Sequence, residues 1–420
     1  MPNLPYLSIF SIALLSSVAA AAPHQRHGAG AVQNSRPSCG QQASGNAATT
    51  GKAIYFLTND ASNAVVALPI AGDGKLSKGT VTPLGGAGSN SLDATGAKAA
   101  PDALVGQSAL TVVGQNLFAV NAGSNTLTMM SISAKDPTAL TMVGKPVAVP
   151  GEFPNTVAAS AKNQLVCAGT TGAAAGISCA NFNKKGLGQM DKLRVFDIGQ
   201  STPPVGPTNT VSQTFFSADE SKLLTTVKGD PAVNNTGFLS AFPVHQAKGA
   251  SCLSKQDVRS SPAGTAVLFG SAVMPNDPNS IFVTDASFGA AVLSLDAKNQ
   301  ATVKKAQAID GQKATCWATI SPATNSAFVT DVGVNHVVEM SLQDASILGN
   351  LDLSANGDPG LIDLKAAGNF VYALSPGNGT TPAAVTVLDV SGGQGSMKQV
   401  QHFELSGMAG KNAQGMAVML

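Results

Sequence analysis

Few side chains in this chain are of the kinds that do chemistry, and they are scattered. Asp285 and Asp331 end two copies of one pattern, Phe-Val-Thr-Asp, at 282–285 and 328–331. Two equivalent carboxylates could share acid/base work or hold a cation at a common mouth. Asn59 and Asn121 fill the same slot in other copies, however, which favours turn capping. His245, His336 and His402 lie far apart, and His336 reads as a satisfied turn histidine rather than a ligand. Trp317, beside Cys316, reads as core packing rather than a stacking platform. The chain has no Gly-x-Ser-x-Gly elbow, no phosphate-cradling Gly-x-x-x-x-Gly-Lys and no His-Glu-x-x-His. The Gly-rich stretches at 85–88 and 392–395 lack a following helix and read as flexible loops. No metal and no cofactor are expected.

The elements that would position these residues are copies of one hairpin. Residues 116–132 give an apolar run, a turn of Asn-Ala-Gly-Ser-Asn, and a second apolar run. Tight copies recur at 54–70, 281–295 and 328–342, and looser ones begin near Leu165, Leu223 and Phe370. The seven starts are spaced roughly 43–63 residues apart, the size of a four-stranded propeller blade. An apolar segment precedes six of the hairpins, as at 108–113 or 317–320, and most are followed by a fourth segment. The first repeat lacks its upstream strand, whereas the chain ends in Gln414-Gly-Met-Ala-Val-Met-Leu420 with no hairpin after it. The sequence therefore predicts an all-β, seven-bladed propeller closed by the C-terminal strand joining the first blade.

Charged residues make up 12% of the 420, about half the usual share for a soluble domain, and the net charge is +1. That balance argues against a nucleic-acid partner, which needs a basic face. An apolar run at 7–20 followed by small residues predicts a signal peptide over 1–22, and no later run is long enough to span a membrane. Residues 23–51 are polar and read as a mobile leader, leaving 52–420 for the propeller. In an oxidising compartment five cysteines leave one unpaired; pairs Cys167–Cys179 and Cys252–Cys316 are expected, with Cys39 the odd one. The first pair would staple a long loop over 169–193. Sequons at Asn234 and Asn378 fall in long loops suited to carrying glycans.

Gly85-Gly-Ala-Gly-Ser-Asn90, Pro101-Asp-Ala-Leu-Val-Gly-Gln-Ser-Ala-Leu110 and Leu117-Phe-Ala-Val-Asn-Ala-Gly-Ser-Asn-Thr126 carry a family resemblance. Together with the repeats, they resemble lactonase-type seven-bladed propellers, which include 3-carboxymuconate cyclase and a bacterial 6-phosphogluconolactonase. The resemblance is closer to the secreted fungal branch of cell-wall or extracellular glycoproteins than to these enzymes. The resemblance implies a catalytic set that this chain does not carry. Where enzymatic members have Pro-His-x-His, this chain has Pro154 and then Asn155 at the expected His. Their Gly-Pro-Arg-His aligns with Thr210-Val-Ser-Gln213, and their Glu with Gly229, leaving Asp230 as the nearest carboxylate. Asp230, Asp285 and Asp331 are thus the candidate catalytic residues. Cycloisomerising a tricarboxylate needs cationic clamps, yet the body of the chain has only Arg194 and Arg259.

The expected function is that of a secreted, glycosylated surface protein that binds an extracellular ligand, as a monomer. Wall polysaccharide and host surface proteins are the candidate partners. The alternative is a lactonising or lactone-hydrolysing enzyme with a different residue set. Loops at 169–193, 228–237 and 376–383 are expected to share the binding rim.

Overall fold

A computed structural model describes residues 50–247, 249–275 and 277–420. The expected signal peptide, the leader up to residue 49 and Cys39 lie outside the described residues. Seven antiparallel sheets follow one another in chain order, each built as inner strand, hairpin and outer strand. The inner strands of blades two to seven are Leu110–Val113, Pro154–Ser160, Val211–Phe216, Leu268–Val273, Thr315–Ser321 and Ile362–Ala367. In blade one that place is taken by Gln414–Met419, which pairs Ala53–Leu57 with Ala53 opposite Met419 and Tyr55 opposite Ala417. The ring is closed by a strand from the far end of the chain.

Burial explains the composition of each strand. The two middle strands of a blade lie between neighbouring blades, so both faces are covered and the sequence runs apolar without alternation. Ala53–Leu57 is buried at every position, as is Ser280–Asp285. Outer strands have one free face and alternate, as in Thr80–Pro83 and most of Ala301–Ala308. No helix of the described residues is long and apolar enough to cross a membrane.

Cys167 and Cys179 lie opposite each other on adjacent strands of blade three, Cα atoms 4.0 Å apart, and form a disulfide. The long loop expected over 169–193 is not there. Leu165–Thr170 and Gly176–Asn183 pair as a hairpin, with only 171–175 between them. The small residues at 171–176 gave no strand signal, and the pairing comes from the neighbouring strand. The pairing expected between Cys252 and Cys316 is also overturned, since both are free thiols. Cys252 lies on the outer strand Ala250–Leu253 of blade four and Cys316 on the inner strand of blade six. Different radii and non-adjacent blades keep them apart. The remaining disulfide closes a short ring, with its cysteines 12 residues apart. Replacing both cysteines by Ala should lower stability by roughly 3 kcal/mol in urea titration, with the fold retained.

Candidate functional site: the axial plug and its cavity

The connection between blades one and two runs from residue 84 to 109, far longer than a strand crossover needs. Its last part, 101–108, turns inward and fills the propeller axis. Gln107, fully buried, binds the backbone of blade six: Nε2 donates to Ala318 O (2.8 Å) and Oε1 accepts from Ala318 N (3.1 Å). Trp317 Nε1 donates to Gly106 O at 3.3 Å. From blade three, Asn155 Nδ2 donates to Leu104 O (3.2 Å) and to Val211 O (2.6 Å). From blade four, Ser212 O accepts from Gln107 N (2.9 Å), and Gln213 Nε2 donates to Ser108 Oγ (3.1 Å). Gln414, on the closing strand, donates to Asp102 Oδ1 at 3.2 Å. Blades one, three, four and six therefore all hold the same eight residues.

The plug is backbone under constraint. Asp102, Val105 and Ser108 have φ of 65°, 48° and 65°, in the left-handed region. Such a conformation costs on the order of 1–3 kcal/mol for a non-glycine residue, and a β-branched Val is the rarest there. It persists because the surrounding hydrogen bonds leave the segment no alternative. At Gly270 the inner strand of blade five comes so close that a Cβ would run into Gln107 Oε1 and the Cys316 carbonyl.

Beside the plug lies a cavity of about 260 Å³, walled by Val105, Pro207, Val267, Phe269 and Cys316 and reached by Lys228 and Asp102. Exposed Lys98 and Ala100 stand at its mouth. The segments around Leu92 and Val205 pair over it, with Leu92 N donating to Pro204 O and Gly206 N to Leu92 O. Lys228 directly follows the second strand of blade four and is only 1% exposed. Its Nζ donates to Val105 O (2.7 Å) and Ser212 Oγ (2.9 Å) and sits 4.3 Å from the Phe269 ring centroid. Burial pushes the Lys228 amine down to about 8, with the charge of Asp102 opposing. Burial pushes Asp102 up to about 7, with Lys228 opposing, and raises the Cys316 thiol well above its ordinary value.

Asp102 makes stability depend on pH in a defined window. The native state holds this proton to about 7, whereas the unfolded chain releases it near 3.8. Its contribution is complete below the unfolded value and is lost as pH rises through about 7. Asp102→Asn keeps the shape and tolerates the positive φ. The variant should gain on the wild type as pH rises from 4 to 7, by at most about 1.4 kcal/mol per unit. Urea titrations across that range check this; parallel curves would count against it.

The structure places the candidate acids elsewhere. Asp285 is buried and accepts from Ala266 N (2.8 Å), Val267 N (3.1 Å) and Ser287 N (3.0 Å). Asp331 accepts from Lys313 N (2.7 Å), Ala314 N (2.9 Å) and Gly333 N (2.8 Å). Each ties its hairpin to the segment entering its own blade, whereas Asn59 Nδ2 donates to Ser89 O (2.8 Å) in the connection that leaves blade one for blade two. These carboxylates are saturated by backbone donors. They shape the cavity only through neighbours such as Val267, Ala286, Ala314 and Val332, which line it. Asp230 caps the short 3-10 turn Pro231–Val233 and does not line the cavity. Arg194 is paired bidentately with Asp191, both contacts 2.9 Å, and Arg259 with Asp257 at 2.8 Å. Both guanidiniums pack on phenylalanines of blades three and four, Phe242 under the first and Phe196 and Phe238 under the second. His402 binds Asp358 at 3.0 Å in blade seven, and His336 is buried, which pushes its imidazole below the ordinary value. None of these residues meets another at the axis.

Sequence reasoning missed Lys228, Asp102, Gln107 and Cys316 as a group. Their partners lie up to 312 residues away along the chain. The segment Pro101–Leu110 stood out only as a carrier of resemblance.

No family model matches the chain, and no curated protein sequence is significantly similar to it. Solved structures are similar in fold. The periplasmic gluconolactonase of Pseudomonas aeruginosa aligns with a TM-score of 0.58 at 14% identity, over 87% of this chain and 99% of that one. A functionally unknown protein of Desulfotomaculum acetoxidans aligns at 0.54 and 12%, over 87% and 98%. A Bacteroides fragilis protein provisionally assigned as a 6-phosphogluconolactonase aligns at 0.51 and 14%, over 71% and 83%. At these identities the likeness is one of fold.

Proposed function

We propose that this chain is a secreted, glycosylated propeller that acts by binding at the cell exterior or wall, its lactonase-type scaffold no longer used for lactone chemistry. One observation carries the reading. Asn155, Ser212 and Gln213 stand where the resemblance places catalytic side chains, and each side chain is engaged inside the fold: Asn155 Nδ2 donates to Leu104 O of the plug and to Val211 O, Ser212 Oγ donates to Leu268 O, and Gln213 donates to Ser108 Oγ and accepts from Ser271 N. Groups committed to buried backbone partners are not available to clamp a substrate carboxylate. The predicted signal peptide supports secretion. The sequon residues Asn234 and Asn378 are exposed on loops at the end of the propeller where the cavity opens. Their loops, 228–237 and 376–383, form the rim we assign to binding, with wall polysaccharide or a host surface protein as partner.

The test is the purified protein against 3-carboxymuconate and a panel of small lactones, followed by ultraviolet absorbance and pH-stat. No turnover above buffer is expected while circular dichroism reports an intact β fold. Turnover abolished by Lys228→Met would instead establish the enzymatic alternative, which the cavity beside the plug favours. Treatment of secreted protein with an N-glycosidase should raise its mobility in two steps. Asn234→Gln and Asn378→Gln should each remove one step, and unchanged mobility would show the sequons empty.

A further inference from the structure

We infer that the cavity beside the plug takes small apolar aldehydes and that the Lys228 amine joins them as an imine. The walls select the ligand. Val105, Pro207, Val267, Phe269 and Val332 offer apolar surface, and the volume of about 260 Å³ exceeds the roughly 150 Å³ that accommodates benzene in a dry apolar cavity. A single ring with a short substituent fits that space. Among the described residues, the one nitrogen nucleophile reaching the cavity from within the fold is Lys228, whereas Lys98 stands at the exposed mouth.

The setting of Lys228 suits an amine that reacts. Its two oxygen partners, Val105 O and Ser212 Oγ, are neutral acceptors and match the two hydrogens of a neutral amine. The nitrogen lone pair is then free for an electrophile. An ammonium would add a third N–H, for which the Phe269 ring face is the neighbour at hand. A desolvated lysine is neutral in larger proportion near pH 8 than a surface lysine, which is what carbonyl addition requires. The charged and titratable groups around it are Asp102 from the plug and Cys316 from blade six, with Asp363 behind Asp102 and Asp285 and Asp331 behind Cys316.

The step balances without an oxidant or reductant. The amine lone pair forms the N–C bond as the carbonyl π pair moves to oxygen. A proton passes from nitrogen to that oxygen, giving the carbinolamine. The C–O bond then breaks, the hydroxyl leaves as water after taking a proton, and nitrogen gives up its remaining proton to form C=N. Asp102, which lines the same cavity, supplies that proton below about pH 7, and water entering at the mouth supplies it above.

The experiment uses benzaldehyde with cyanoborohydride, which reduces an imine to a stable benzylamine, followed by peptide mass mapping of the intact protein at pH 6 to 10. The expected result is one benzyl group per chain, on Lys228, formed at least tenfold faster at pH 8 than on any other lysine. Its rate should level off above about pH 8, whereas surface lysines keep accelerating toward pH 10. Benzyl alcohol, which has the ring but no carbonyl, should protect Lys228 alone. Val267→Trp, which fills the cavity and retains the lysine, should suppress the label at least tenfold. It keeps the proposal testable if Lys228→Met does not fold. Labelling spread over exposed lysines with Lys228 unmodified would overturn the inference, as would labelling of Lys228 that Val267→Trp leaves unchanged.

Discussion

Removing residues 414–420 should abolish the folded protein. Those residues supply the innermost strand of blade one, and Met416, Ala417 and Met419 are buried between neighbouring blades. The deletion exposes the row of backbone groups along Ala53–Leu57, and it leaves Asp363 without the Met416 N–H that its carboxylate accepts at 2.9 Å. Burial of the lost side chains alone is worth several kcal/mol, at roughly 1.5–3 kcal/mol for each large one, which is a large part of the stability of an ordinary domain. The open edge would also template pairing with other chains. The expected readout is insoluble or aggregated material with no cooperative unfolding transition. A control separates loss of closure from loss of sequence. Lys52 N already donates to Met419 O at 2.7 Å, so a short linker from Leu420 to residue 50 can join the two ends. A permutant opened instead at the exposed turn near Gly393 should fold with nearly wild-type stability. A soluble, cooperatively unfolding deletion would show that the ring does not depend on this strand.

What the sequence made legible follows from how local each signal is. The blades rest on apolar runs and Asn or Asp turns within about 20 residues, and those signals survive without knowledge of the rest of the chain. Closure was readable because Ala53–Leu57 lacks a neighbour upstream and 414–419 lacks one downstream. The turn role of Asp285 and Asp331 was equally visible, because Asn59 and Asn121 share their slot. The plug was not. Asp102, Val105 and Ser108 adopt positive φ at positions where glycine or asparagine would have announced it. Lys228 has the local pattern of any strand-end lysine, and only the crossing of 101–108 over the axis buries it. The misplaced loop at 169–193 and the mistaken Cys252–Cys316 pair have the same origin. Both depend on which strand lies beside which, and that information is carried by the ring rather than by any window of sequence.

Gln107 is where that long-range information becomes most concentrated, and Gln107→Ala should lower stability by roughly 2–6 kcal/mol. The amide serves two buried backbone groups at once, Ala318 N and Ala318 O, and truncation leaves both without their partner at about 1–3 kcal/mol each. Gln107→Glu should cost more at neutral pH, because a carboxylate can accept from Ala318 N but meets Ala318 O as one acceptor facing another. Hydrogen exchange distinguishes this account from a general loss of packing. Amides in 101–108 should exchange faster by at least a hundredfold relative to wild type, while those of Gly289–Leu295, two strands outward from Gly270 in blade five, change only with global stability. Gly270→Ala presses on the same amide from blade five and should produce the same local pattern. The consequence for function is direct. With the plug loosened, Val105 O no longer fixes Lys228 and the apolar wall that Val105 gives the cavity is lost. If the plug is what converts an open channel into a closed binding fold, its loosening should raise the access of solvent to Lys228 and erase the selectivity of that lysine over those on the surface. Protection at 101–108 unchanged in Gln107→Ala would mean that the remaining contacts from blades three and four are sufficient to hold the axis shut.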